Sequence, residues 1–264
     1  MSNLLSSLSK TIHASVGLMI VLFLGLFYLN EGFAFDTLFW SWLFRYIHVV
    51  VAIMWIGLLW YFNFVQIPNM AKIPDEQKPA IGKVIAPAAL FYLNGGFAFD
   101  TLFWSWLFRY IHVIVAIMWI GLLWYFNFVQ IPNMGKIPDE QKPAIGKVIA
   151  PAALFYFRWA AALTVLSGLI LALLNGYLHD AMTLSIGNGI PKHTAIGIGM
   201  WLGVIMAFNV WFVIWPNQKR ALGIIECEPD LKAKSAKIAM LFSRTNTLLS
   251  LPMLLAMVAA QNLY

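Results

Sequence analysis

Runs of about 20 consecutive apolar residues are what a helix needs to cross the hydrocarbon of a bilayer, and this chain carries several. They fall at roughly 12–30, 38–66, 102–130, 152–176, 194–215 and 238–260. In lipid, backbone N–H and C=O groups find no water, so a spanning segment is a helix or part of a closed barrel. These runs are continuous rather than alternating, which selects helices. The composition agrees: 61% of residues are hydrophobic and 11% charged, against about a quarter charged in soluble domains. The expected fold is all-α, a polytopic transmembrane helix bundle lying in a lipid bilayer. The net charge of +6 calls for no nucleic acid, because the lysines lie in loops, where they report topology. The first run follows Lys10 without an A-x-A-like cleavage site, so it reads as a retained anchor helix.

The middle of the chain is written twice. Residues 29–92 and 93–156 align at an offset of 64 and differ only at Glu31/Gly95, Val50/Ile114 and Ala71/Gly135. The tripeptide Leu-Phe-Tyr at 26–28, 90–92 and 154–156 marks the seams. The expected organisation is a single membrane domain, 1–264, with this tandem duplication inside it. With one copy removed, five core spans remain, and all the lysine-rich loops fall on one side. The positive-inside bias makes that side cytoplasmic. If the extra copy added one span, Lys219, Arg220, Lys232, Lys234 and Lys237 would invert. If the segment 84–99 returns as a short or broken helix, carrying Pro87, Asn94, Gly95 and Gly96, every later loop keeps its side. The two-pass arrangement is the preferred expectation.

Each copy places an arginine and a histidine one turn apart on a helix: Arg45 and His48, with Trp55 beyond, and Arg109 and His112, with Trp119 beyond. His193 opens a later helix expected to start from the same side of the membrane. Two imidazoles from different helices at similar depth are what axial ligation of a haem b iron requires, here His112 (or His48) with His193. Arg109 or Arg45 would face a propionate. Gly197, Gly199 and Gly203 thin the later helix for a flat ring or a neighbouring helix. The alternative is that these histidines only hydrogen-bond carbonyls or headgroups. His13 and His179 are weaker candidates, at the far end and in a loop. A second polar group joins Asn63 or Asn127, Arg158, Asn209, Arg244 and Asn246. It reads either as a cavity for an anionic substrate or a quinone headgroup, with Arg158, Asn209 and Arg244 lining it, or as interhelical hydrogen bonds and snorkelling arginines. Trp40, Trp42, Trp60 and Trp215 fall near span ends as an aromatic belt, and Pro252 should kink the last span. No residue pattern identifies a catalytic group. One cysteine, Cys227, forbids an intrachain disulfide and a C-x-x-C-H haem attachment.

Two stretches together, "RYIHVVVAIMWIGLLWYFNFVQIP" and "IGIGMWLGVIMAFNVWFVIWPNQKRALG", resemble the membrane domain of the bacterial membrane-bound urate hydroxylases, the urate oxidase N-terminal family. "NVWFVIWPNQK" (209–219) is the more specific piece. The histidine followed by a Trp-x-Gly turn also looks like haem-containing membrane protoporphyrinogen oxidases and copper-resistance proteins. The resemblance implies a bacterial inner-membrane location and oxidation of urate to 5-hydroxyisourate, with electrons leaving to cytochrome c. Full-length members carry a cytochrome c domain after the membrane part, so a separate c-type cytochrome is the expected partner here. A competing expectation is a non-catalytic subunit of a larger respiratory or photosynthetic complex; a transporter ranks third. Copy two, with His112, keeps the native connection to the next span and is favoured for the site, which leaves copy one peripheral, a dimer surface, or not biologically real.

Overall fold

Prolines and their carbonyl partners explain most of the irregularity in the helices. The computed structural model describes residues 2–29, 37–66, 69 and 101–264, and every regular element among them is helical. Among the described residues, six helices are long and apolar enough to cross a membrane. They are α1 (Leu8–Leu29), α2 (Thr37–Trp60), α3 (Thr101–Trp124), α4 (Ala150–Leu174), α5 (Pro191–Phe208) and α6 (Pro229–Asn262). Wider π-type turns extend α2 (Tyr61–Gln66), α3 (Tyr125–Gln130) and α5 (Asn209–Ile214), and another leads into α4 (Ala144–Ile149). In each case a proline, 68, 132, 216 or 151, stands two residues beyond the end of the turn. A proline inside a helix cannot donate to the carbonyl four residues back, and its ring crowds that carbonyl. Widening the turn relieves the crowding.

Pro252 sits inside α6 and frees the carbonyl of Leu248. The hydroxyl of Ser15, fully buried on α1, donates to that carbonyl at 2.7 Å. The expected neighbouring group is therefore present. α4 ends on Gly176 at φ 74°, with Gly176 N–H donating to Leu173 O and Tyr177 N–H to Ala172 O, the paired bonds of a left-handed helix stop.

The two copies fold alike, with identical helix and π-turn bounds at the offset of 64, yet they bury different faces. Trp42 is 1% exposed and its counterpart Trp106 50%, whereas Trp55 is 71% exposed and Trp119 1%. A helix apolar on all sides carries no preference for one face, so neighbours decide. Copy one lays Trp42 against Phe23 of α1, stacked at 5.6 Å and 14°, so Trp42 is core and not part of an interfacial belt.

α2 and α3 pack directly on one another through equivalent residues. Gly57 meets Gly121 so closely that a Cβ on either would run into the other's Cα. One turn further, Tyr61 stacks on Tyr125 with centroids 3.5 Å apart and their hydroxyls bonded. In an antiparallel pair, a step forward on one helix would meet a step back on the other, so these copies are parallel and in register. The remaining pairs fix the other directions. α3 and α4 are antiparallel (Ser105 with Asn175, His112 with Thr164), as are α5 and α6 (Asn209 with Asn246, Gly199 with Met257). α1 and α6 are parallel (Ser15 with Leu248, Leu26 with Tyr264).

Lys10, Lys136, Lys142, Lys147, Lys219, Arg220 and the lysines of the first turns of α6 consequently gather at one end. Arg45, Arg109 and Lys192 belong to the other. Parallel copies thus preserve the arrangement of the five-span chain, and no downstream loop inverts. The expected broken helix at 84–99 lies outside the described residues. Ser15→Ala should lower unfolding stability in detergent by about 1 kcal/mol, the scale of an interhelical bond in membranes. In a Pro252→Ala background, where the intrahelical bond can re-form, the same change should cost measurably less. Equal costs in the two backgrounds would contradict this role for Ser15.

Candidate functional site

Below the weakly charged end, the helices enclose a cavity of about 440 Å³ reached by side chains of α2 through α6, within the size range of small-molecule and cofactor sites. Its body is apolar, and its polar residues include Arg109, His112, His48, Tyr177 and Asn262. α2 and α3 contribute equivalent stripes, His48/His112, Val49/Val113, Ala52/Ala116 and Ile53/Ile117. The helices touch at Gly57 and Gly121, and these lining residues lie on the N-terminal side of that contact.

His112 is the most firmly held of these groups. Its Nδ1 lies 2.9 Å from the Thr164 carbonyl and 3.2 Å from Ser167 Oγ. A carbonyl only accepts, so Nδ1 carries the proton and Nε2 keeps its lone pair. No partner for Nε2 exists among the described residues. Gly168 makes room for the ring, since a Cβ there would lie 2.9 Å from His112 Cε1. A histidine oriented through one nitrogen, with the other free beside a cavity, is the arrangement of a metal-ligating imidazole.

His48 is exposed and lines the same cavity. Arg45, one turn away, donates to Asn262 Oδ1, and Arg109 lies at the cavity itself. Burial pushes the Tyr177 hydroxyl above its ordinary range, and the Arg109 guanidinium pulls it partly back.

His193 stands differently. Its Nδ1 is 3.0 Å from Asp180 Oδ2, and the other oxygen of Asp180 accepts from Asn188 Nδ2 at 2.9 Å. Its ring stacks on Tyr177 at 5.8 Å, but His193 is not among the residues found lining the cavity. The Asp180 loop is held by left-handed turns at Leu184 and Ser185, with φ of 54° and 55°. So Arg109, His112 and His48 line one cavity, while His193 stacks on Tyr177, which lines it too. Copy one contributes His48, Val49, Ala52 and Ile53 to the lining of the same cavity. His13 bonds the Ser9 carbonyl at the far end of α1, and the carbonyl of His179 accepts from Thr183.

The second polar group lies away from the cavity, toward the basic end. Asn209 donates to Asn246 Oδ1 at 2.9 Å, and Asn246 donates on to Met206 O. Asn127 donates to Ser243 Oγ at 2.8 Å. Arg244 Nη1 donates to the Leu5 carbonyl, and the Arg158 guanidinium lies 3.9 Å over the Trp215 ring. Sequence reasoning missed a likeness here. Trp119-x-Gly121-x4-Phe126-Asn127 of α3 recurs as Trp201-x-Gly203-x4-Phe208-Asn209 of α5. Both asparagines are buried at a π-type turn and bond α6. It also missed Tyr177, Asp180 and the Thr164–Gly168 cradle, which no motif announces.

Residues 189–263, covering α5, its basic loop and α6, match the model of the urate oxidase N-terminal family, the family that the sequence resembles. No curated protein and no solved structure matches the chain.

If the asparagines bind helices together, Asn246→Ala should lower unfolding stability by about 1 kcal/mol or more, since a buried amide is left unpaired. Ligand binding in the cavity should be unaffected. An unchanged stability would contradict the structural role.

Proposed function

We propose that this membrane protein, whose residues 189–263 carry the urate oxidase N-terminal signature, is a redox protein holding haem b in the cavity beside His112. The carrying observation is the His112 imidazole, fixed through Nδ1 with its Nε2 free. The apolar walls suit a porphyrin, and Arg109 is placed to pair with a carboxylate at the cavity. A bound haem b supplies one-electron transfer. The chain's own residues fix the ligand nitrogen, neutralise an acidic edge and keep water from the apolar body of the cavity. The basic end faces the cytoplasm by the positive-inside bias, so Arg109, His48 and His112, at the other end of the bundle, lie toward the outer side. That is where a separate c-type cytochrome would accept electrons.

The family signature suggests urate as the reductant. Addition of water to urate with loss of two electrons and two protons gives 5-hydroxyisourate, and the electrons go to the cytochrome rather than to oxygen. The test is an oxidised-minus-reduced visible spectrum of the purified protein, with a pyridine haemochrome assay. A b-type spectrum that is lost or strongly reduced in His112→Ala is expected. A flat spectrum under conditions that retain haem would overturn the proposal and favour a structural subunit of a larger complex. With haem present, urate-dependent reduction of cytochrome c is the next expected result, and its absence would remove the urate assignment alone.

A further inference from the structure

We propose that the seam between α4 and the end of α5, toward the basic end, binds the phosphate of an anionic phospholipid through Arg158 and Lys219. The site lies apart from the cavity, and it does not depend on the haem b reading.

An unanswered cation carries the argument. Arg158 stands within the membrane-length helix that contains α4. Among the described residues, no carboxylate pairs with its guanidinium and no oxygen accepts a hydrogen bond from it. A guanidinium has five N–H donors and no acceptor of its own, and an ionisable group within a membrane span calls for a partner. Arg244 meets that need inside the protein, buried and donating to the Leu5 carbonyl. Arg158 lies instead beside the exposed rings of Phe155 and Trp159, so its anion comes from outside the chain.

The cation is also held in place. Its guanidinium carbon is 3.9 Å from the Trp215 ring centroid and 5.4 Å from that of Phe155. Lys219 Nζ is 5.8 Å from the same Trp215 ring, so one indole serves two cations. The Trp211 indole N–H donates to the Arg158 carbonyl at 2.9 Å, and Trp211 packs edge-on against Trp159, which ties α4 to α5 at this level. Trp215 opens the short helix that carries Lys219 and Arg220 into the basic loop. The pair therefore sits where interfacial tryptophans meet lipid headgroups.

The two charges select the class of ligand. A phosphodiester presents two oxygens to the guanidinium fork, and its acyl chains would lie along the exposed aromatic wall. A zwitterionic lipid brings a cation of its own, which opposes the pair. Free phosphate shares the headgroup chemistry but gains nothing from the apolar wall.

The experiment is native mass spectrometry of the delipidated protein in detergent with equal amounts of phosphatidylglycerol and phosphatidylcholine. The wild type should retain phosphatidylglycerol about fivefold or more in excess, the scale of one or more basic residues acting on an anionic lipid. Arg158→Gln should remove most of that excess and Lys219→Gln part of it. Lys237→Gln makes the same charge change on an exposed residue of α6 and should leave the excess unchanged. Equal retention of the two lipids by the wild type, or an equal loss in Lys237→Gln and Arg158→Gln, would overturn the proposal. Inorganic phosphate added in excess should not displace the lipid; displacement would overturn the lipid assignment in favour of a free phosphate site. If Arg158→Gln fails to fold, Lys219→Gln decides, and an unchanged excess in that variant would contradict the site.

Discussion

Two glycines in van der Waals contact determine how the rest of this molecule is arranged. Gly57 and Gly121 are the same residue of a repeated sequence, and their meeting lets two helix backbones approach as only small residues allow. Because Tyr61 and Tyr125 also meet one turn on, the helices are parallel. That direction keeps α4, α5 and α6 where a single-copy chain would put them, with the basic loops at one end. It also leaves a cavity on the far side of the crossing, lined by residues of α2 through α6, His48 and His112 among them. Had the copies packed antiparallel, His48 and His112 would lie at opposite depths and share nothing.

The remaining structure shows how a bilayer protein tolerates helix breakers. A freed carbonyl in hydrocarbon costs several kcal/mol if left alone. Here Ser15 answers the carbonyl released by Pro252, and the wider turns ahead of Pro132, Pro151 and Pro216 absorb the others. The asparagine and serine pairs near the basic end serve the contact of α6 with α3 and α5. The cavity, by contrast, has few polar groups, and those it has include the fixed imidazole of His112.

Much of the fold was legible because membrane-length apolar runs and lysine-rich loops are strong one-dimensional signals. The spans appear where expected, mostly lengthened at their basic ends by residues such as Ile131–Lys136 and Pro229–Lys237. Faces were not legible. The same sequence buries Trp42 in one copy and Trp119 in the other, because an all-round apolar helix lets its neighbours choose. His112 and Arg109 could be selected from their spacing. The pairing of His112 with Thr164 could not, since a backbone carbonyl leaves no mark in sequence. His193 read as a cavity residue because it opens a helix on the right side. Asp180, thirteen residues earlier, holds it at the loop instead.

The placement of α4, α5 and α6 depends on the parallel, in-register contact of the two copies. Disulfide trapping tests it directly, in a Cys227→Ser background that removes the native thiol. Tyr61→Cys with Tyr125→Cys should oxidise to an intrachain disulfide, detected as the mass loss of two hydrogens. Tyr61→Cys with Ile117→Cys, the pair that an antiparallel crossing at the same glycines would bring together, should stay reduced. A disulfide in the second pair and none in the first would show the copies to be antiparallel and dismantle the shared cavity.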